Sequence, residues 1–386
     1  MQTIEEPRFS IPPAQPGASF FREEWPLAVS ITTAGLFLAF GDHWLAELSG
    51  FGWFAFLLAW LFVVILLSAF AVVRHAEDLA HQLGEPLGTL ILTLAVTGIE
   101  VMMIGSVMYA AGEKSSVARD AMFAVVMIVL NGMVGLSLLL GGLRYGEQTY
   151  NLQGANAFLA VIVPLAVLGL ILPNFTVSTP GPTLSRWQSI FLSVMSAGLY
   201  GVFVAIQNRR HGDYFRMPAY PDAAGKGESH ERERTQRRIA FQFLLLLAYL
   251  LPVIVLSEKL AIPLDYAVHQ LGAPPALGGL FVAILILSPE SLAAIRAAMA
   301  NELQRSINIL LGSVLATIGL TIPFVLAIGF YTGHLVILGL NQANMTLLVL
   351  TLVLSTLTFG SSRTNVLQGA VHLLLFLAYL MLIFDR

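Results

Sequence analysis

An all-α integral membrane protein of about 11 transmembrane helices, with two inverted-topology five-helix repeats and one extra N-terminal helix, is predicted by three features of this 386-residue sequence. The composition is too apolar for a soluble chain of this length, at 57% hydrophobic against 11% charged residues and a mean hydropathy of +0.79. The apolar residues fall into eleven runs, most of them near the roughly 20 residues that cross a bilayer. The tetrapeptide His-Gln-Leu-Gly occurs twice, at 81–84 and 269–272, each time ahead of an apolar run that holds a single glutamate, Glu100 or Glu290.

The first run, 26–41, stands outside the repeats and is the extra helix. Before it lies a polar, Pro-rich segment with Glu5, Glu6, Glu23 and Glu24. That segment has no charged stretch leading at once into an apolar core, so no cleaved signal peptide is expected. Spans two to six cover 51–73, 87–111, 121–143, 155–172 and 187–206, and spans seven to eleven cover 239–257, 277–300, 307–330, 336–359 and 366–384. Between them, Arg209, Arg210, Arg216, Lys226, Arg232, Arg234, Arg237 and Arg238 crowd one polar break. Positive charge stays in the cytoplasm, so this break is a cytoplasmic linker. Six crossings ahead of it put the N-terminus inside, eleven put the C-terminus outside, and 15 of the 20 Lys and Arg residues then fall on the inner side.

The expected organisation is therefore a cytoplasmic segment at 1–25, the extra helix and its connection at 26–50, a first repeat at 51–206, the linker at 207–238 and a second repeat at 239–386. Five crossings is an odd number, so the second repeat enters from the opposite face. Inverted repeats of this kind place their site at the repeat interface near the midplane.

An ionisable group at bilayer depth is costly and reads as functional by default. Glu100 and Glu290 are such groups in corresponding places, each preceded by a helix-weakening pair, Thr97-Gly98 and Ser288-Pro289. Proline removes a backbone donor, and irregular backbone at this depth is tolerated where it lines a cavity. Carboxylate, hydroxyl and carbonyl oxygens are the ligands of hard cations. Cation and proton compete for the same carboxylate oxygens, and that competition is itself an exchange mechanism. Thr97, Asn131, Ser288, Asn308 and Ser313 are the secondary candidates for neutral ligands, against the alternative of interhelical hydrogen bonding.

Other classes are excluded by what the chain contains. With no cysteine there are no disulfides, zinc–thiolate sites or thiol chemistry, and a net charge of -3 gives no basic footprint for nucleic acid. No Gly-x-x-x-x-Gly-Lys loop supplies an ATP motor. His75, Glu77 and His81 do not have the spacing of a zinc protease and read as a polar amphipathic connection at the inner face. No cofactor is expected, and the partners are transported cations, protons and membrane lipid. A proton-coupled carrier of another solute, and a non-transporting scaffold or channel, are the competing readings.

The stretch 76–100, with Ala-Glu-Asp-Leu-Ala-His-Gln-Leu-Gly ahead of the acidic span, resembles the first repeat of the calcium/proton antiporter family of cation exchangers. Ser257-Glu258-Lys259-Leu260, Leu271-Gly272, Glu290 and Ile309-Leu310-Leu311-Gly312-Ser313 resemble the second, and 146–151 and 363–369 are also similar. The likeness is strongest to the bacterial ChaA-type branch. It implies eleven helices, ion and proton binding at Glu100 and Glu290, and alternating access, with Ca²⁺, Na⁺ or K⁺ exported from the cytoplasm against protons across the inner membrane. The family's Gly-Asn-Ala-x-Glu reads Val96-Thr97-Gly98-Ile99-Glu100 and Ile286-Leu287-Ser288-Pro289-Glu290 here, so both asparagines are replaced. Its usual Gln after the second Gly-Ser is Ala316.

Overall fold

The computed structural model describes residues 24–83, 87–110, 114–207, 212–215, 232–333 and 335–385. Apolar runs of bilayer length fold as helices because only intra-segment hydrogen bonds satisfy the backbone in lipid. The helices are α1 (Trp25–Ala46), α2 (Phe51–Leu83), α3 (Leu87–Ala110), α4 (Val117–Tyr145), α5 (Leu152–Asn174) and α6 (Arg186–Ala205), followed by α7 (Arg232–His269), α8 (Ala276–Met299), α9 (Leu303–Thr332), α10 (Gln342–Thr358) and α11 (Val366–Ile383). Nine of them, among the described residues, are long and apolar enough to cross a membrane, with Ala95–Ser106 and Gln342–Thr358 as shorter apolar helices.

Polar residues set the helix starts. Asn151 accepts from Gln153 N to cap α5, and Asn341 accepts from Asn344 N to cap α10. Ser185 with Gln188, and Asn365 with Gln368, form reciprocal capping boxes at the starts of α6 and α11. Two helices extend beyond their apolar runs. Past Val73, α2 continues through Arg74 and Glu77 to Leu83, and α7 begins at Arg232, seven residues ahead of its hydropathic start. The polar stretch read as a connection is helix, because ion pairs and hydrogen bonds there satisfy what hydropathy scores as solvent-exposed. Arg74 and His75 both bond Glu24, Tyr249 of α7 donates to the same carboxylate, and Gln242 meets His75 at 2.5 Å. This cluster fastens the start of α1 to α2 and α7.

The pairing of elements follows an inverted two-fold relation. The first helices of the repeats, α2 and α7, pack together, as do α4 with α11 and α9 with α6. At one end, strand β2 (Gln148–Thr149) after α4 pairs antiparallel with β4 (Arg363–Thr364) before α11. At the other, Leu338 and Gly339 after α9 donate to Pro182 O before α6. Strands β1 (Lys114–Ser115) and β3 (Leu335–Val336) pair in parallel. Small residues allow the closest helix approach: a Cβ on Gly135 would lie 2.9 Å from Leu373 N, and one on Gly369 2.5 Å from Leu139 N.

Buried side chains form two clusters. One is built mainly by α1, α2, α3 and α7, the other mainly by α4, α5, α6, α9, α10 and α11; α8 contributes to both, and Ala118 and Ala121 of α4 and Val325 of α9 join the first. The boundary between them runs past Glu100 and Glu290.

Regularity is lost elsewhere than the sequence suggests. Helix α3 runs unbroken through Thr97-Gly98, and α8 through Pro289. Ser288 Oγ donates to Ile284 O of its own helix, so its hydroxyl is satisfied locally rather than released to a cavity. The wider turns are π segments at Ile128–Met133 in α4, Val167–Ile171 in α5 and Thr317–Thr321 in α9. Such π turns are frequent at functional sites.

Candidate ion-binding site between the repeats

Helix α3 buries Glu100 to 3% exposure, and its carboxylate is held from the opposite repeat. Thr317 Oγ1 donates to Oε2 at 2.8 Å and Thr321 Oγ1 to Oε1 at 3.2 Å. Both threonines belong to the π segment of α9. Residues four apart overshoot one turn of an α-helix, and the wider π turn brings them closer to one line. One carboxylate thus spans both hydroxyls.

Glu290 on α8 faces the same space in a different state. Its Oε2 is buried and has no hydrogen-bond partner among the described residues, while Ser313 of α9 is the hydroxyl set towards its carboxyl. Leaving a buried charged oxygen unpaired costs more than the typical 1–3 kcal/mol of a neutral group.

The two glutamates line one cavity of about 230 Å³. Val96 and Thr97 of α3, Phe158 of α5, Tyr200 and Phe203 of α6, and Asn308, Gly312 and Ser313 of α9 are also in its lining. Glu77, past the apolar run of α2, and Gln207, just beyond the C-terminus of α6, line it as well. Among the described residues the lining holds three glutamates and no lysine or arginine, and a low-dielectric cleft of one sign concentrates counter-ions.

Of the secondary candidates, Thr97, Asn308 and Ser313 line this cavity. The Asn308 amide is already engaged: Nδ2 donates to Phe215 O at 2.7 Å and Oδ1 accepts from Gln304 at 2.8 Å. Ser288 is outside the lining, turned onto its own helix. Asn131 is fully buried in a separate polar group, donating to Thr351 Oγ1 at 2.8 Å and meeting His372 Nδ1 at 3.2 Å, with His372 Nε2 3.0 Å from Thr358 Oγ1. It ties α4 to α10 and α11 rather than to the glutamates. Of the His75, Glu77 and His81 group, His75 joins the Glu24 cluster, Glu77 lines the cavity, and the His81 side chain lies outside the described residues. Sequence reasoning missed Thr317 and Thr321, and it read Glu77 as part of a polar amphipathic connection at the inner face, whereas Glu77 is an exposed residue of α2 that also lines the cavity.

Comparison with known proteins agrees with this architecture. The family described as sodium/calcium exchanger protein matches residues 53–208 and 241–384. The chain is 41% identical over 320 residues to the sodium-potassium/proton antiporter ChaA of Escherichia coli, covering 83% of this chain and 86% of that one. It is 24% identical over 324 residues to the Ca²⁺/H⁺ antiporter of Aphanothece halophytica, covering 80% and 84%. Among solved structures, native YfkE superposes with a TM-score of 0.71 at 18% identity, covering 94% of this chain and all of that one, which shows a shared fold. The chain belongs to the sodium/calcium exchanger protein family of integral-membrane cation exchangers.

Proposed function

We propose that the chain is a secondary active antiporter that exports Ca²⁺, with Na⁺ or K⁺ as further substrates, in exchange for protons. The observation that carries this reading is the shared cavity: two carboxylates from inverted repeats face one space, one of them with an unpartnered oxygen. The names borne by relatives support both ion classes, sodium and potassium in one and calcium in another.

In the mechanism, a cation enters past Glu77, which raises the local cation concentration, and displaces protons from Glu100 and Glu290. Movement of the helices around the boundary between the two clusters then exposes the pair to the other side, where protons displace the cation. Cation and proton cannot occupy the same oxygens together, so each crossing of one obliges a return of the other. Glu77 and Gln207 lie near helix ends of the same side as Arg74, Arg144 and Arg296, and this charge asymmetry supports reading that side as cytoplasmic, with the C-terminus outside.

The test is cation-induced proton release in everted vesicles. Glu100→Gln and Glu290→Gln should each abolish exchange with Ca²⁺, Na⁺ and K⁺. Parent-like exchange by both variants overturns the mechanism. A carrier of another solute would instead keep proton coupling with no response to any of the three cations.

A further inference from the structure

We propose that Thr317 and Thr321 are neutral cation ligands of the site and that their hydroxyls set its preference for divalent over monovalent ions, a proposal that rests on the carboxylate reading above. Both side chains are fully buried, both come from the π segment of α9, and both donate to the Glu100 carboxylate. A threonine hydroxyl has one donor and two acceptor lone pairs. While its proton is given to Glu100, its oxygen still has lone pairs to offer a cation beside the same carboxylate. The two residues can therefore order the empty site and coordinate the filled one without changing place.

Ligand count explains why these oxygens matter. Ca²⁺ takes about 6–8 oxygen ligands, and two carboxylates supply at most about four. The asparagine positions of the two acidic motifs are Thr97 and Leu287, and the adjoining Ser288 is turned onto its own helix. Asn131 and the Asn308 amide are engaged elsewhere. Thr97 and Ser313 in the lining, with Thr317 and Thr321 at Glu100, supply neutral hydroxyl oxygens near the pair. The hydroxyls stand in for the amides.

The two ion classes respond differently to loss of such a ligand. Attraction between an ion and a fixed dipole scales with the ion's charge, so removing one hydroxyl weakens a divalent ion about twice as much in energy as a monovalent one. A loss of about tenfold in Ca²⁺ affinity then corresponds to about threefold for Na⁺ or K⁺.

The experiment measures half-saturating Ca²⁺, Na⁺ and K⁺ for proton exchange by the full chain in proteoliposomes. Thr317→Val and Thr321→Val keep side-chain shape and remove the hydroxyl, and Thr317→Ser and Thr321→Ser restore it. Each valine variant should raise the half-saturating Ca²⁺ concentration about tenfold and that of Na⁺ or K⁺ about threefold, with serine returning both towards the parent. Equal loss for both ion classes, or no rescue by serine, overturns the assignment and leaves the threonines as positioning residues for Glu100. Should the valine variants not fold, Thr317→Ala and Thr321→Ala are read in the same way. Glu100→Gln and Glu290→Gln run in parallel separate the two claims: exchange retained in them sinks the carboxylate mechanism, whereas exchange lost in them with an unchanged ion ratio in the threonine variants sinks this proposal alone.

Discussion

Thr317 donates its hydroxyl proton to Glu100 across the interface between the two repeats, at 2.8 Å. The acidic residue of one repeat is thereby held in place by the other. Glu290, its counterpart by sequence, has no equivalent clamp on Oε2. The site is therefore two-fold in backbone and asymmetric in hydrogen bonding.

That asymmetry predicts opposite stability effects. Glu290→Gln should abolish exchange without lowering the thermal unfolding midpoint in detergent, because the carboxylate it replaces contains an unpaired oxygen. Sites under such strain commonly trade stability for activity. A loss above about 2 kcal/mol would mean that Glu290 holds the bundle together instead.

Asn131 should behave in the reverse way. Asn131→Leu removes one buried hydrogen bond each from Thr351 and His372, leaving His372 its bond to Thr358 and Thr351 its contact with Met127, and a buried polar atom that loses its partner costs about 1–3 kcal/mol. The expected outcome is a lower unfolding midpoint with the half-saturating cation concentration of the folded fraction unchanged. A shift in that concentration would make Asn131 part of the ion site.

Glu77 is expected to recruit ions without binding them finally. Glu77→Gln should raise the half-saturating cation concentration by about threefold at low ionic strength and by less at high salt, since screening weakens attraction beyond about 10 Å at 0.1 M. Complete loss of exchange would place Glu77 among the ligands.

The close approach of α4 and α11 gives a packing test. Gly135→Val puts side-chain atoms where Leu373 N and Gly369 O already lie, and overpacking of this kind typically costs about 1–3 kcal/mol or more. Monodisperse protein with a parent-like unfolding midpoint would contradict that contact.

The absence of cysteine makes orientation measurable without a background. A single cysteine at Asn301 should be shielded from a membrane-impermeant maleimide in whole cells, and one at Ser178 should react. The opposite pattern would invert the topology drawn from Lys and Arg.

The sequence made Glu100 and Glu290 legible because a charge inside an apolar run has few innocent explanations. Thr317 and Thr321 had no such signal. A threonine in a membrane helix commonly bonds its own preceding turn, as Thr332, Thr346 and Thr356 do here, and only a tertiary contact distinguishes the two that do not. The same limit explains Glu77. Hydropathy ends span two at Val73, whereas the helix continues because Glu24, Gln242 and Tyr249, all distant in sequence, satisfy its polar residues. The Thr97-Gly98 and Ser288-Pro289 pairs pointed to broken helices, yet neighbouring packing carries both helices through.

The clamp on Glu100 also has a schedule. Thr317 is synthesised 217 residues after its partner. At about 5–20 residues per second, translation leaves Glu100 waiting roughly 10–40 s for its hydroxyls. Asn131, 220 residues ahead of Thr351, waits as long. During biogenesis the first repeat thus resides in the membrane with its costliest groups unanswered, and its survival depends on how fast the ribosome delivers the second.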